Sequence, residues 1–403
     1  MKSEWTFCPL GELVSFTSGG TPSKHKSEYW TGSIPWISAK TLKSERIKTS
    51  DLFISEDGLK AGSKLASCGS VLLLTRGSGL FNGVPIGLVE KDVAFNQDIK
   101  CLNSCSEVEN KFIFYWLLSQ RNYLMAKVGV TGIGAGKFDL DFLQKLEVPV
   151  PSAQERHQII AIGDVLSDKI ELNQKINENL QRQTIALYER LLDESNWPTA
   201  TILDIAEKVA MGPFGSNIKV STFVPEGVPI ISGNHLRGYF LEESEFNYIT
   251  EEHAERLKNS IVFPHDLIFT HAGNIGQVAM IPDGCKYNRY VLSQRQFYLR
   301  CDETKVVPEF LLMFFHSAAG QHELLSYANQ TGVPSIAQPA TNLKKISFPY
   351  PSFSEQMAWW KMAKPLMRQY LSNRIENDYL ALLRDTLLPK LMSGEIDVDS
   401  AKF

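Results

Sequence analysis

The sequence predicts an α/β protein of the α+β kind. Two globular domains with mainly antiparallel sheets are separated by two long antiparallel helices that form a coiled-coil spacer, with a pseudo-twofold internal repeat. Three observations predict this fold: an internal duplication with a period near 200 residues, a capped amphipathic segment after each copy, and globular segments without regular βαβ alternation. From these patterns we place globular domains at 1–150 and 197–350, and long helices within 151–196 and 351–403.

The duplication is the strongest of the three signals. Residues 131–155 align with 331–355 without a gap and share eight identities in 25 positions, where chance would supply roughly one or two. The residues repeated 200 positions later are Thr131, Gly132, Leu143, Lys145, Pro149, Pro151, Ser152 and Glu155.

Upstream, a weaker similarity keeps the same order. Pro35, Ile37, Ser38 and Leu42 match Pro229, Ile231, Ser232 and Leu236; Ile86, Gly87 and Val89 match Ile275, Gly276 and Val278; Gln97 matches Gln294. In the same alignment Thr75, Arg76, Gly77 and Ser78 fall opposite Thr270, His271, Ala272 and Gly273. Each half therefore contains a divergent globular segment followed by a similar tail.

Each tail begins with the pattern PxPSxxE, which predicts a helix start. A Ser at the N-cap and a Glu three residues later form a capping box, here at Ser152 with Glu155 and at Ser352 with Glu355. Apolar periodicity then predicts one helix over about 153–193 and a matching second helix, which Pro365 should kink or interrupt. The polar Asn173 on the first seam is expected to fix the helix register. The predicted spacer and subunit-docking residues are Ile162, Leu166, Asn173, Ile176, Leu180, Leu366, Ile375, Leu382 and Leu387.

Composition excludes several classes of protein. With 43% hydrophobic and 21% charged residues, the 403-residue chain is neither disordered nor collagen-like. Six dispersed cysteines are too few for a disulfide framework, and no apolar run reaches the ~18 residues of a membrane span. The first ten residues lack the apolar core of a signal peptide. We therefore expect a cytoplasmic protein that makes no membrane contact.

Taken together, the duplication, the segment TG…LxK(L/I)xxPxPSxxE before each long helix and the closing LLPKLMSGEI of 387–396 resemble the specificity subunits of type I restriction-modification enzymes. The resemblance covers essentially the whole chain. It implies a DNA-recognition subunit without catalytic activity, in which 1–150 and 197–350 are target-recognition domains. Each domain would bind one half of a bipartite double-stranded DNA target, and the helices would set the spacing between the halves.

The same resemblance implies partner subunits. The helices would dock methyltransferase subunits, two in number, which carry S-adenosylmethionine and methylate adenine. A separate restriction subunit would use ATP and Mg²⁺ to move along and cleave unmodified DNA. No cofactor and no metal are expected in this chain.

Net charge alone does not indicate a DNA partner, because the chain carries −4 overall. We therefore select basic, amide-rich loops that contain glycine and follow apolar strands, where side chains meet a DNA groove. Arg76 is expected to contact guanine, and Asn274 or Gln294 adenine. The candidate DNA-binding residues are Lys24, Lys26, Ser38, Lys40, Lys43, Thr75, Arg76, Ser78, Asn96, Gln97, Asn234, His235, His271, Asn274, Arg289, Gln294 and Arg295.

Enzyme alternatives find little support in the motifs. No Pro-Pro pair is available for the target-amine loop of an adenine methyltransferase. The run TGIGAGKF at 131–138 departs twice from a phosphate-binding loop, at Thr131 and Phe138, and is interpreted as a flexible connector. Asp283, Glu303 and Lys305 match a loose nuclease pattern, so a Mg²⁺-dependent endonuclease stays open as an alternative, as does a two-module scaffold that binds only protein.

Overall fold

The computed structural model describes residues 5–132, 134–329 and 332–398. The chain forms two compact units, unit 1 from Met1–Lys175 with Asn373–Phe403 and unit 2 from Ile176–Ser372. Each unit combines one globular segment with parts of both long helices. Two positions of the repeated segments, Ile133 and Thr331, lie outside the described residues.

The globular segment of unit 1 is built from short strands and short helices. Its strands are β1 (Thr6–Pro9), β2 (Val14–Ser18), β3 (Ile34–Ile37), β4 (Arg46–Ile47), β5 (Phe53–Ile54), β6 (Lys64–Ala66), β7 (Val71–Leu74), β8 (Ile86–Val89), β9 (Val93–Phe95), β10 (Ile99–Ser104), β11 (Gly129–Val130), β12 (Gly136–Lys137) and β13 (Glu147–Val150). Its helices are α1 (Leu10–Leu13), α2 (Glu56–Gly62), α3 (Asn110–Ser119), α4 (Arg121–Met125) and α5 (Leu140–Gln144).

These strands form mainly antiparallel sheets, as the sequence predicts. A five-stranded sheet has the order β2-β10-β7-β8-β4, and a four-stranded sheet has the order β5-β3-β9-β6. Parallel pairing occurs between β3 and β9 and between β4 and β8. The apolar helix α3, buried from Phe112 to Leu118, packs on β7, β8 and β10 and closes the core of unit 1.

Unit 2 repeats this plan. Its strands are β14 (Thr199–Thr201), β15 (Ala206–Met211), β16 (Val228–Ile231), β17 (Asn247–Ile249), β18 (Ile261–Val262), β19 (Leu267–Thr270), β20 (Val278–Met280), β21 (Tyr290–Leu292), β22 (Gln296–Cys301), β23 (Ala328–Asn329), β24 (Ser335–Ile336) and β25 (Ser347–Pro349). Its short helices are α7 (Ile202–Ile205), α8 (Glu251–Arg256), α9 (Pro308–His316), α10 (Ala318–Leu325) and α11 (Pro339–Leu343).

The sheets of unit 2 correspond to those of unit 1. Their orders are β15-β22-β19-β20 and β17-β16-β21-β18, and the pair β16 and β21 is parallel, as β3 and β9 are in unit 1. The apolar helix α9 takes the place of α3.

The two long helices, α6 (Ala153–Asp193) and α12 (Phe353–Met392), are called αA and αB. Both predicted capping boxes are confirmed. The backbone N–H of Ser152 donates to Glu155 Oε2 at 3.1 Å, and that of Ser352 donates to Glu355 Oε2 at 3.0 Å. In return each Ser Oγ accepts from the backbone N–H of its Glu, at 3.3 and 3.4 Å.

The expected interruption at Pro365 is wrong, because αB is continuous from Phe353 to Met392. A proline in a helix interior removes one backbone hydrogen bond, which weakens the helix locally. Here the neighbouring positions Ala363 and Met367 are buried in the core of unit 2, whereas Pro365 itself is exposed. Tertiary packing on both sides of the proline therefore maintains the helix.

The predicted apolar seam is found only in part. On αA, Ile159 and Leu166 are buried and Ile162, Ile176 and Leu180 are half-buried, whereas the prediction for αB needs correction. Ile375 and Leu382 are 67% and 66% exposed, so neither lies on the seam. The buried positions of αB are Gln356, Trp359, Ala363, Met367, Asn373, Arg384, Leu388, Leu391 and Met392. The polar Asn373 and Arg384 interrupt the hydrophobic periodicity, which is why the sequence pattern gave the wrong face.

The two long helices pair antiparallel within each unit. In unit 1, Asn173 Nδ2 donates to Glu376 Oε2 at 2.7 Å and to Asn377 Oδ1 at 2.9 Å. In unit 2, Asn177 Nδ2 donates to the carbonyl oxygen of Tyr370 at 3.2 Å, and the rings of Tyr188 and Trp359 lie 6.2 Å apart. Positions rise along αA as they fall along αB, so the pairing is antiparallel in both units.

In unit 1, charged side chains of one short segment attach the globular part to both helices. Glu45 accepts hydrogen bonds from Arg384 on αB, and the adjacent Arg46 pairs with Asp164 and Asp168 on αA. Lys48 adds an ion pair with Glu171 on αA. The globular segment of unit 1 is therefore fixed to the helices by ion pairs rather than by apolar contact alone.

Candidate DNA interface

In unit 1, several strands end at one edge of the globular segment. The parallel strands β3 and β9 end side by side, and the backbone N–H of Asn96 donates to the carbonyl oxygen of Ile37 at 2.9 Å. Next to them β7 ends, and the N–H of Thr75 donates to the carbonyl oxygen of Asp98 at 2.9 Å. The turn after β3, the turn before β10 and the segment after β7 are therefore adjacent.

Two further segments meet the same edge of unit 1. The hairpin β11–β12 pairs with the segment after β7, through a bridge between Arg76 and Lys137 and a 2.9 Å hydrogen bond from Gly77 N–H to the Gly136 carbonyl. The Gly-rich segment after β2 lies beside Gln97, whose Oε1 accepts from Thr21 Oγ1 at 2.7 Å. Gly136 and Lys137 of the run at 131–138 thus form the second strand of this hairpin, so this part of the run is not a flexible connector.

Unit 2 has the corresponding edge. β16 and β21 end side by side, and the N–H of Ser293 donates to the carbonyl oxygen of Ile231 at 2.8 Å. The segment after β19 lies next to it, because His271 N–H donates to the Arg295 carbonyl at 2.9 Å. The hairpin β23–β24 pairs with that segment through a bridge between Ala272 and Ser335.

The Gly-rich segment of unit 2 also reaches this edge. Gly212 N–H donates to the Gln296 carbonyl at 2.8 Å, and the amide nitrogen of Gln294 donates to the carbonyl oxygen of Gly215. A Cβ at Gly212 would lie 2.0 Å from the carbonyl oxygen of Ser293, so only glycine permits this approach. The matching Gln97 and Gln294 thus hold the Gly-rich segment in both units.

These hydrogen bonds correct the alignment of the segments that follow β7 and β19. The hairpin partners place Thr75 opposite His271, Arg76 opposite Ala272 and Gly77 opposite Gly273, one residue later in unit 2 than the sequence comparison predicts. Asp98 falls opposite Arg295, since their carbonyl oxygens accept from the backbone N–H groups of the matching residues Thr75 and His271. The exposed guanidinium opposite the hairpin is therefore that of Arg76, which follows β7, in unit 1. In unit 2 it is that of Arg295, which lies in the turn before β22.

Many of the predicted DNA-binding residues lie on these two edges with their side chains exposed. Eight of them have exposed side chains that make no hydrogen bond or ion pair with the described residues. They are Lys24, Lys40, Lys43, Arg76, Ser78, Asn234, Asn274 and Arg295. Ser38 is half-buried, with its Oγ accepting from the N–H of Lys40 at 3.3 Å. Lys26 is exposed but donates to Tyr29 Oη at 3.2 Å. Free donors of this kind are what contact with phosphates and base edges requires.

Four predicted contacts are corrected, because their side chains are buried or engaged. Thr75 is buried and donates to the carbonyl oxygen of Asp98, and the buried Asn96 donates to Asp98 Oδ2 at 3.2 Å. His235 is buried against Phe246, with ring centroids 4.4 Å apart, and burial lowers its pKa. Arg289 pairs with Glu251 and Glu255 of α8.

The side chains of two further candidates contact nearby backbone carbonyl oxygens. The amide nitrogen of Gln294 donates to the carbonyl oxygens of Gly215 and Ile218, the latter at 3.3 Å. Gln294 therefore positions the Gly-rich segment of unit 2. His271 is half-buried, and its Nε2 lies 3.1 Å from the carbonyl oxygen of Gln294. Burial lowers the pKa of His271, so the imidazole is neutral near pH 7.

Sequence reasoning missed two residues that the tertiary structure brings to the edges. Lys137 is exposed on β12 beside Arg76, and Phe214 is 72% exposed in the Gly-rich segment of unit 2. For Lys137 the signal was its place in the duplicated segment. For Phe214 the signal was an aromatic residue between Pro213 and Gly215, at a site where core packing cannot account for it.

The loose nuclease pattern forms a different arrangement. Asp283 Oδ1 and Glu303 Oε1 lie 3.0 and 2.9 Å from opposite nitrogens of His265, and these carboxylates raise the His265 pKa although its burial acts to lower it. Lys305 pairs with Asp302 at 3.2 Å. Over residues 5–132, 134–329 and 332–398, no group of three or more His, Cys, Asp and Glu side chains is placed to hold a metal ion. The pattern is thus a histidine held between two carboxylates.

Within the same described ranges, no helix is both long enough and apolar enough to cross a membrane. All six cysteines are free thiols, including Cys101 and Cys105.

A duplicated globular segment with matching loop edges and paired long helices defines a DNA-recognition protein with two specificity domains. The chain belongs to the family described as the type I restriction modification DNA specificity domain, whose model matches it twice, over residues 2–182 and 194–378. The family predicted from the sequence motifs, the type I specificity subunits, is therefore confirmed.

Named relatives agree with this family. The chain is 31% identical over 182 residues to the type I restriction enzyme EcoR124I/EcoR124II specificity subunit of Escherichia coli, covering 45% of this chain and 44% of that relative. It is 23% identical to the type I restriction enzyme MjaIX specificity subunit of Methanocaldococcus jannaschii, covering 99% of this chain and 95% of the relative. The crystal structure of a type I restriction-modification S subunit from M. genitalium has the same fold, with a TM-score of 0.53, 17% identity and 96% coverage of both chains.

Proposed function

We propose that this chain recognises a bipartite DNA sequence, with the globular segment of each unit binding one half-site. The observation that carries the proposal is the convergence of exposed Arg, Lys, Asn and Ser side chains on the same edge of both units. The residues differ between the edges, with Arg76 and Lys137 in unit 1 and Asn274 and Arg295 in unit 2. Two edges with different donors suit two different half-sites.

The long helices are proposed to set the spacing of the half-sites. Each helix extends through about 40 residues, and at 1.5 Å per residue that is ~60 Å, more than one turn of DNA. The polar hydrogen bonds of Asn173 with Glu376 and Asn377 support a fixed register, because a sliding seam would leave these groups unsatisfied.

The chemistry is proposed to belong to partner subunits. In this proposal two methyltransferase subunits bring S-adenosylmethionine, and restriction subunits bring ATP and Mg²⁺ chemistry to the complex. His265 pairs with Asp283 and Glu303, the two carboxylates that a nuclease would use. This pairing supports the assignment of the chemistry to partner subunits. DNA recognition by this chain should therefore survive EDTA and weaken steeply with added salt.

The direct experiment is copurification of the full chain with the methyltransferase encoded beside it, followed by sequencing of methylated adenines in DNA exposed to the complex. A single motif with two specific halves and a fixed nonspecific gap is the expected result. Methylation without sequence dependence, or DNA cleavage by this chain alone, contradicts the proposal.

Arg76→Ala should loosen recognition at one half-site only. If the guanidinium donates two hydrogen bonds to a guanine, its loss costs about 1–3 kcal/mol of discrimination at that base pair. The measurement is the methylation rate on duplexes in which each target base pair is substituted in turn. Lys91→Ala is the matched control, because Lys91 is exposed just before β9, at the opposite end of that strand from Asn96. An equal loss on all duplexes would mark Arg76 as a phosphate contact instead.

An exposed apolar stripe on αB is the proposed docking face for a methyltransferase subunit. Ile375, Tyr379 and Leu382 are 67%, 62% and 66% exposed, and their spacing of four and three residues places them on one helix face. Leu382→Glu should reduce copurification of the methyltransferase at least about tenfold, because it would bury an unpaired carboxylate in the interface. The control is Leu52→Glu, at an exposed leucine of the globular part, and it should not reduce copurification. Unchanged copurification of Leu382→Glu would disprove this docking face.

A further inference from the structure

Phe214 is the aromatic side chain that the fold of unit 2 leaves uncovered at its DNA-facing edge. It is 72% exposed, whereas the other phenylalanines of the adjacent strands, Phe269 and Phe297, are fully buried. Exposure of one apolar side chain is common on a protein surface, so the support and the surroundings of the Phe214 ring must indicate whether it contacts a partner.

The backbone around Phe214 is held firmly in place. Gly212 approaches the Ser293 carbonyl closely, Gly215 has a φ of +63°, and Gln294 binds the carbonyl oxygens of Gly215 and Ile218. Pro213 restricts the chain immediately before the ring. A ring on a fixed support loses little conformational freedom when it binds, which favours a defined contact over an adaptable one.

The surroundings of the ring indicate which partner it meets. The turn that holds Phe214 contains Arg295, whose guanidinium is exposed, and the adjacent segment contains the exposed Asn274. Positive and amide donors beside an apolar ring suit nucleic acid, in which phosphates lie next to the flat faces of bases.

We propose that the Phe214 ring contacts a base within the half-site bound by unit 2, as an apolar wedge at a base step. This inference rests on the proposed function and adds a specificity-determining residue to it. In unit 1 the corresponding position is Thr21, whose hydroxyl donates to Gln97 Oε1 at 2.7 Å, so the matching place in the other half of the chain carries no aromatic ring. Side chains of this kind insert between base pairs and partly unstack them.

The test uses the complete complex of this chain with its methyltransferase. Phe214→Ala and Phe214→Thr, the latter carrying the unit 1 residue, should slow methylation about 10- to 100-fold on the cognate duplex. The loss of discrimination should be confined to base pairs of one half-site, and that half-site should be the one that Arg76→Ala leaves unchanged. Phe214→Trp, which keeps an aromatic face, should stay within about threefold of the unmodified chain.

The control and a direct signal complete the experiment. The control is Leu203→Ala, which removes another exposed apolar side chain, 61% exposed on α7. Helix α7 adjoins the opposite end of β22, so this substitution should have no effect. With 2-aminopurine placed in turn across the half-site bound by unit 2, binding of the unmodified complex should raise fluorescence at one step, and Phe214→Ala should abolish that rise.

Equal rates for Phe214→Ala and the unmodified chain, or an equal loss at both half-sites, would overturn the wedge. Absence of any sequence-dependent methylation by the unmodified complex would instead overturn the proposed function.

Discussion

Lengthening both long helices by seven residues should widen the gap between the two half-sites by about three base pairs and leave each half-site sequence unchanged. Seven residues are two helical turns and add ~10 Å, which matches about three base pairs of DNA. Seven residues also preserve the 3.5-residue periodicity of a paired helix seam. A change in gap alone is expected, because the side chains that contact bases lie on the globular segments.

The duplicated heptads should be 169–175 on αA and 373–379 on αB. These segments face each other in unit 1, where Lys169 pairs with Glu376 at 3.3 Å and Asn173 donates to Glu376 and Asn377. Duplicating both together keeps these hydrogen bonds, whereas lengthening one helix alone breaks the register.

The result is measured as the methylated motif of the altered complex. Methylation at the original target should fall at least about 100-fold, since only one half-site can then be bound in register. The double substitution of the exposed Glu178 and Arg182 by Ala, which keeps the helix length, should leave the motif unchanged. A changed half-site sequence, or an unchanged gap, would contradict the assignment of spacing to the helices.

Removing the guanidinium of Arg384 should be among the most destabilising single substitutions in unit 1. The Arg384 side chain is 5% exposed and binds both carboxylate oxygens of Glu45, which also accepts from Arg121 at 2.9 Å. Arg384→Ala leaves Glu45 without its buried partner. We expect a loss of about 3 kcal/mol in the free energy of unfolding, at the lower end for buried pairs because Glu45 stays 30% exposed.

Urea unfolding of single and double variants measures this interaction. Arg384→Met combined with Glu45→Leu should be less destabilised than Arg384→Ala, because neither variant side chain is a buried unpaired charge. The exposed pair of Arg182 with Glu178 is the matched control, and Arg182→Ala should cost at most about 0.5 kcal/mol. Similar losses for Arg384→Ala and Arg182→Ala would show that the Glu45 contact does not hold the helix.

The same pair predicts a dependence on pH. Burial acts to raise the pKa of Glu45, but the guanidinium groups of Arg384 and Arg121 outweigh it and lower that pKa below its ordinary value of 4.5. The contribution of the pair is therefore fully present above pH 4.5 and is lost as pH falls through the lowered pKa of the folded state. Arg384→Ala and the unmodified chain should accordingly converge in stability at strongly acidic pH.

The family and the division into two similar halves could be predicted from sequence because both depend on local, repeated patterns. Ser152 with Glu155 and Ser352 with Glu355 are short-range capping signals, and each forms the predicted hydrogen bonds. On αA, apolar periodicity locates the buried Ile159 and Leu166 in the same way. The seam of αB did not follow, because Asn373 and Arg384 are buried through partners that a periodicity search does not include.

The candidate interface was predicted only in part. Exposed residues of the strand-end loops, such as Arg76 and Asn274, lie at the edges where the sequence placed them. Thr75 and Asn96 are equally polar and equally close to strand ends, but hydrogen bonds to Asp98 bury them. Side-chain orientation depends on contacts across the sheet, and single-sequence patterns do not contain those contacts.

The sequence by itself determined the duplication, the helix starts and the family, because identities at a fixed period and capping residues are local features of one chain. Only the tertiary structure decided which polar groups are free at each edge, that the exposed guanidinium comes from a different segment in each unit, and that Phe214 is uncovered. Those properties arise from burial and hydrogen bonding between residues distant in the chain, and they exist only once the strands have paired.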